Sequence, residues 1–176
     1  ILEGEGITVR LRAECISAKM RGKKIVVGLD CADASKQAAG SHLLLAVGRI
    51  PNTDDLGLDK AGVKTDKRGF ITVDDELKTN VPGIWAIGDC TAGPWLAHKA
   101  SHEGVTAAEA IAQELGNAEV HPHALDRNNI PGCTYCHPQI ASVGLTEAKA
   151  KEAGYEVKAG TFPFIGNGKA IALGEA

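Results

Sequence analysis

The feature that most restricts the fold is a short one: Leu43-Leu44-Leu45-Ala46-Val47, an apolar run without alternation, closed by Gly48-Arg49-Ile50-Pro51. Successive side chains of a strand point to opposite faces, so a half-buried strand alternates apolar and polar residues. A run that does not alternate suits a strand covered on both faces, as in the parallel sheets of α/β proteins. Residues 42–47 are therefore predicted as a buried strand, with Gly48 and Pro51 turning the chain away from it. It is the longest apolar run in the sequence, far short of the roughly 20 residues a membrane-spanning helix needs.

Before it, Ile7, Val9 and Leu11 alternate with Thr8, Arg10 and Arg12 and predict a half-buried strand. Lys24–Leu29 predicts a second, beyond a turn at Arg21-Gly22. The basic residues around that turn, Lys19, Arg21, Lys23 and Lys24, read as a solvated hairpin. A net charge of -3 excludes the excess of Lys and Arg that a nucleic-acid partner requires. With 44% hydrophobic and 23% charged residues, the composition favours neither disorder nor a membrane class.

After Gly48 the pattern changes. Short strands are predicted over Phe70–Val73 and Ile84–Ile87, the second ending in Gly88-Asp89. A helix is predicted over Leu96–Leu115, stopped by Gly116, with Val105, Ala108, Ala112 and Leu115 sharing one apolar face. From about His121 a third block predicts a strand over Gln139–Val143 and a helix capped by Thr146 and ended by Gly154. A further strand is predicted over Tyr155–Phe162.

The segment richest in chemistry is Ile84-Trp85-Ala86-Ile87-Gly88-Asp89-Cys90, followed by Gly93-Pro94-Trp95-Leu96-Ala97-His98-Lys99. Ligands of α/β sheets sit beyond the carboxyl ends of strands, and an Asp there accepts hydrogen bonds from sugar or ribitol hydroxyls. Gly93 would let backbone approach a ligand, and Pro94 suits the first turn of a helix. Residues 95–98 would then offer unpaired N–H groups and the positive end of a dipole to electron-rich oxygen, as on a reduced flavin. The bland alternative for Asp89 is a turn residue.

Three stretches, AVGRIPNT, TNVPGIWAIGD and GPWLAHKASHEG, resemble at their spacings the second flavin-domain segment of the pyridine nucleotide-disulfide oxidoreductases. The stretches IPGCTYCHPQIASVGLTEAKAKEAGYEV and FPFIGN resemble the start of that family's dimer-interface domain. The resemblance implies an α/β fold of partial Rossmann-like dinucleotide-binding domains plus the start of an α+β interface domain. By it, residues 1–48 are the end of an NAD-binding domain, 49–120 the second part of an FAD-binding domain, and 121–176 the truncated interface domain.

Within the family, the GPxLAHKASxEG form is most similar to the branch that serves 2-oxo acid dehydrogenase complexes. Such an enzyme oxidises a dihydrolipoyl dithiol through a redox-active disulfide and FAD, with NAD as final acceptor. It works as a cytoplasmic homodimer with lipoyl domains as partners. By resemblance Asp89 would contact the flavin ribitol; Trp95, Leu96, Ala97 and His98 would meet its pyrimidine side, largely through backbone. Gly48 would lie beside the dinucleotide. Trp95 departs from the family, which commonly has Met there.

The family's redox Cys pair, Gly-rich phosphate loops and His-Glu acid/base pair have no counterpart in this sequence, so catalytic residues are expected outside it. The 176-residue chain, starting at Ile1, is expected to be an internal piece of a longer enzyme, poorly stable and without retained FAD. A mercuric- or glutathione-type reductase shares nearly all these motifs, and a truncated paralogue acting as a binding module is the non-enzymatic alternative.

Five Cys, Cys15, Cys31, Cys90, Cys133 and Cys136, form an odd and irregular set that points to reduced cytosolic thiols. Cys133-Thr134-Tyr135-Cys136-His137 fits the c-type haem pattern, and with His121 or His123 it would make a zinc set. A thioredoxin-like role is opposed by Pro138, which blocks the helix that role needs. The expectation is a buried structural pair of small apolar residues. His98 and His102, four apart, would form a metal-binding helix face only with a third ligand.

Overall fold

The computed structural model describes residues 1–30 and 35–174, which divide into two units, Ile1–Arg49 and Ile50–Ala176. Cys31 lies outside the described residues.

The first unit is an antiparallel meander of β1 (Glu14–Arg21), β2 (Lys24–Asp30) and β3 (Gln37–Gly40). The β1–β2 turn is Gly22-Lys23, one residue beyond the predicted position, with Gly22 at φ 62 as the first central residue of a two-residue hairpin loop demands. The basic residues around it are exposed, as expected of a solvated hairpin. The register slips between Cys15 and Ser17, a bulge that leaves Ile16 unpaired. Arg10 fastens the preceding loop to this sheet by donating through Nη1 to the carbonyls of Ser35 (2.6 Å) and Gln37 (3.2 Å).

Two predicted strands fail here. Residues 7–11 pair with nothing in the sheet, because the chain turns at Leu11-Arg12, where Arg12 takes φ 55. Residues 42–47 form no strand, and Leu44 and Val47 are 87% and 89% exposed. A doubly covered strand exists only between neighbours, and among the described residues no segment hydrogen-bonds to this one.

In the second unit, α1 (Leu58–Ala61) precedes a series of tight turns around a small core of Val63, Ile71 and Ala86, backed by Leu58, Val73, Val81, Ile84 and Cys90. Two of these turns share one design. Asp66 Oδ1 accepts from the N–H groups of Arg68 (2.8 Å) and Phe70 (2.9 Å), and Asp74 Oδ1 from those of Glu76 and Lys78 (both 2.9 Å). Each Asp also closes a backbone turn, accepting at its carbonyl from Gly69 and Leu77 respectively. Both donor residues are left-handed, Gly69 at φ 89 and Leu77 at φ 64. These self-closed loops replace the predicted strands: Phe70–Val73 and Ile84–Ile87 make only the isolated bridges Thr65↔Ile71 and Lys78↔Trp85.

Helix α2 (Ala97–Glu114) agrees with the predicted span within a residue at each end. Its buried face is not the predicted one. Lys99, Glu103, Thr106, Ala107 and Ala110 point inward, whereas Val105 and Leu115 are 57% and 83% exposed and Ala108 is exposed too. The helix packs on the turn at Gly88, where a Cβ would come within 3.4 Å of the Ala100 Cβ. Backbone this close leaves room for small residues, and the bulkier apolar ones fall on the outer side.

The chain then forms a two-stranded antiparallel sheet, β4 (Gly132–Thr134) with β5 (Ile140–Ser142), at the predicted 139–143 position. Helix α3 (Glu147–Glu152) is capped by the Thr146 hydroxyl, which accepts from the Lys149 N–H. A last helix, α4 (Gly168–Leu173), is capped by Asn167. The strand predicted over Tyr155–Phe162 is absent, for residues 155–162 have no pairing partner among the described residues. No helix among the described residues is long and apolar enough to cross a membrane.

Candidate functional site

The strand-end segment and the start of α2 meet in the second unit. Gly88–Cys90 forms a single 3-10 turn, with Gly88 at φ 75, a backbone conformation open to glycine. Asp89, at its centre, is exposed, and its carboxylate accepts no protein hydrogen bond among the described residues. Leu96 is the N-cap of α2 and has no side-chain cap, so the first N–H groups of an 18-residue helix stay free. The first turn holds no acidic residue that would answer the helix dipole internally. One acceptor and several donors thus lie at neighbouring turns, the set that a molecule with both hydroxyl and carbonyl oxygens requires. The flavin and ribitol of FAD have that chemistry, and the donor set fits them.

Trp95 and Leu96 are half-buried, and Ala97 and His98 exposed. Trp95 stacks on Phe70 (5.0 Å between centroids, 16° between planes), with the Arg68 guanidinium over both rings at 5.3 and 5.8 Å. Its indole N–H donates to the Thr91 carbonyl (3.1 Å). The residue that departs from the family pattern therefore has its own packing in this chain. Pro94 precedes the N-cap and is not part of the first helical turn. His98 donates through Nε2 to the Pro131 carbonyl (2.9 Å), tying the helix start to the segment leading into β4. Gly48, at φ 117, belongs to the first unit.

Beneath the Asp89 turn lies a buried charged cluster built on Lys99. Lys99 and Glu103, one turn apart on α2, are each 1% exposed and approach to 2.9 Å between Nζ and Oε1. That approach falls outside hydrogen-bond geometry, so it is a coulombic contact. The other oxygen, Oε2, accepts from the Gly88 N–H at 2.8 Å. Lys99 Nζ also lies 3.4 Å from the Thr91 hydroxyl and 3.5 Å from the Gly88 carbonyl, and Thr91, fully buried, donates to that carbonyl at 2.8 Å. Stability alone does not explain a cation here. A positive charge in the first turn opposes the helix dipole by about 0.3–1 kcal/mol. A buried ion pair is often no better than apolar residues of the same volume. The signal in the sequence was the i,i+4 spacing of Lys99 and Glu103, which ordinarily marks a solvated surface pair.

Cys90, half-buried beside this cluster, has its thiol pushed above the ordinary value, chiefly by burial. Cys133 and Cys136 are both exposed, which corrects the expected buried pair: β4 and β5 make a two-stranded sheet whose residues other than Gly132 are all exposed. His98, His102 and Cys133 border a groove of about 820 Å³ together with Ile130 and Tyr135. Among the described residues no three His, Cys, Asp or Glu side chains are placed to hold a metal ion.

The chain resembles known proteins over its whole length. Residues 1–104 match the model of the pyridine nucleotide-disulphide oxidoreductases, and residues 130–176 match that family's dimerisation domain. A dihydrolipoyl dehydrogenase of Zymomonas mobilis is 60% identical over 76% of this chain and 28% of its own length. One from Rhizobium etli is 47% identical over 99% of this chain and 35% of its own. Among solved structures, LpdA from Mycobacterium tuberculosis superposes with a TM-score of 0.82 at 25% identity, covering 98% of this chain and 36% of that one. The HOCl-induced flavoprotein disulfide reductase RclA of Escherichia coli gives 0.79 at 28% identity, over 98% and 38%. The chain spans about a third of the length of the curated relatives it matches. It belongs to the pyridine nucleotide-disulphide oxidoreductase family, with that family's α/β fold.

Proposed function

We propose that this chain supplies flavin-facing and dimerisation parts of an NAD-dependent dihydrolipoyl dehydrogenase. The observation that carries the reading is the exposed, unpartnered Asp89 carboxylate next to the uncapped start of α2. Relatives bearing that enzyme's name at 60% and 47% identity support the choice within the family. FAD, when bound, carries an electron pair from a dithiol toward NAD. Asp89 would accept hydrogen bonds from ribitol hydroxyls, and the N–H groups of Ala97 and His98 would donate to oxygen on the pyrimidine side of the ring. Trp95 and Leu96 would border that edge, and Gly48 would lie beside the nicotinamide dinucleotide. Residues 1–48, 49–120 and 121–176 belong to NAD-binding, FAD-binding and interface domains. The working form is a cytoplasmic homodimer that takes its dithiol from the lipoyl domains of 2-oxo acid dehydrogenase complexes.

A different flavoprotein disulfide reductase is the second reading, favoured by the likeness to RclA. The purified full-length flavoprotein containing this chain separates the two. NADH formation from dihydrolipoamide and NAD, followed at 340 nm, is expected. Inertness toward dihydrolipoamide, with NAD(P)H-driven reduction of another disulfide, would replace the first reading by the second.

A further inference from the structure

We infer that the buried Lys99–Glu103 pair is a positioning device for Asp89, and so sets flavin affinity from inside the helix. The inference rests on the reading of Asp89 as a flavin contact. Every polar contact of the pair beyond its own goes to one turn. Glu103 Oε2 takes the Gly88 N–H, and Lys99 Nζ faces the Gly88 carbonyl and the Thr91 hydroxyl. Thr91 closes the set by donating to the same Gly88 carbonyl. Both backbone groups of Gly88 are thereby held by α2 and Thr91, and the next residue in the chain is Asp89. Glu103 and Lys99 never reach the surface, each being 1% exposed. They act on a ligand only through the turn they hold.

Such a clamp has a purpose that simple packing lacks. The free N–H groups of α2 and the Asp89 carboxylate sit on different elements, and a ligand that bridges them needs their separation fixed. Glu103 joins the two elements by one charge-assisted hydrogen bond at 2.8 Å. Lys99 brings its ammonium to 2.9 Å from the other oxygen of the carboxylate that holds this amide.

The test is a mutant cycle on the full-length flavoprotein, stripped of flavin and refilled, with Kd read from quenching of FAD fluorescence. Asp89→Asn alone is expected to weaken FAD binding by about tenfold or more, the size of one good polar contact. Lys99→Met with Glu103→Leu replaces the pair by apolar residues of similar volume and is expected to weaken binding comparably. Adding Asp89→Asn to that background is expected to cost little more, because a mispositioned Asp89 has little left to lose. Equal losses from Asp89→Asn in both backgrounds would overturn the clamp and leave the reading of Asp89 intact. No loss from Asp89→Asn in the wild-type background would overturn that reading, and the clamp with it. If the double variant does not accumulate, the near-isosteric Thr91→Val removes one link of the clamp. It is expected to lose affinity in the same non-additive way, and additivity there overturns the clamp equally.

Discussion

Asp89 and the start of α2 were legible because their signal is local: a strand-like run ending in Gly-Asp, a proline, then a helical period. The partner of Lys99 was not, since nothing within four residues distinguishes a buried Lys–Glu pair from a solvated one. Cys90 is a similar case, since nothing near it in the sequence announces its burial, yet it lies beside the clamp. Burial raises its thiol pKa, with the Glu103 carboxylate adding to the effect. The thiolate is the reactive form, so Cys90 stays protonated to higher pH than an unburied thiol. A group whose folded pKa is raised favours the fold below its unfolded value and withdraws that support as pH climbs through the folded one. In peptide-resolved alkylation of the folded protein at about pH 8, Cys90 is expected to react after the exposed Cys15, Cys133 and Cys136. Simultaneous modification of all four would contradict the burial of Cys90.

At the scale of elements, helix α2 was foreseen in extent and misread in orientation. Apolar residues at helical spacing, Val105, Ala108, Ala112 and Leu115, were taken to mark the core face, but close packing on the Gly88 turn selects Ala107 and Ala110 instead. Volume at the inward face is the quantity that matters. Ala110, 1% exposed, has no space to grow, and Ala110→Leu is expected to destabilise the protein by about 1–3 kcal/mol through overpacking. Val105→Ala on the outer face should stay within about 0.5 kcal/mol. Denaturant midpoints for the two variants decide the orientation, and a larger loss at Val105 would restore the predicted face. The turn glycine before β2, β2 itself and helix α3 were read correctly for the same reason as Asp89, since turn glycine and Thr cap are written where they act, whereas β1 was not predicted.

Over the whole molecule, three of the predicted strands failed for want of a neighbour. Residues 7–11, 42–47 and 155–162 have strand-like sequences and no pairing partner among the described residues. A strand depends on neighbours far away in the chain, whereas a helix or a capped turn carries its partners with it. The result is visible in the side chains themselves. Leu44, Val47, Phe162 and Phe164 are among the large apolar side chains left in water. This exposure is the physical ground for expecting low stability of the chain by itself.

The twin Asp loops have a consequence for how such a structure loosens. The first places glycine at its left-handed position, and the second places Leu77, 3% exposed. A left-handed leucine costs about 1–2 kcal/mol, while burying its side chain returns about 1.5–3 kcal/mol. The second loop is therefore held closed by the core, and the first by its own backbone. When the core breathes, Leu77 loses its reason to stay left-handed, and the Asp74 loop should open while the Asp66 loop persists. Amide exchange reads this directly: the Leu77 N–H, bonded to the Asp74 carbonyl, is expected to exchange before the Gly69 N–H, bonded to the Asp66 carbonyl. The reverse order would mean that the left-handed leucine carries no strain. Two loops of one shape would thus melt in sequence, making the 66–78 segment an internal gauge of how firmly the core is closed.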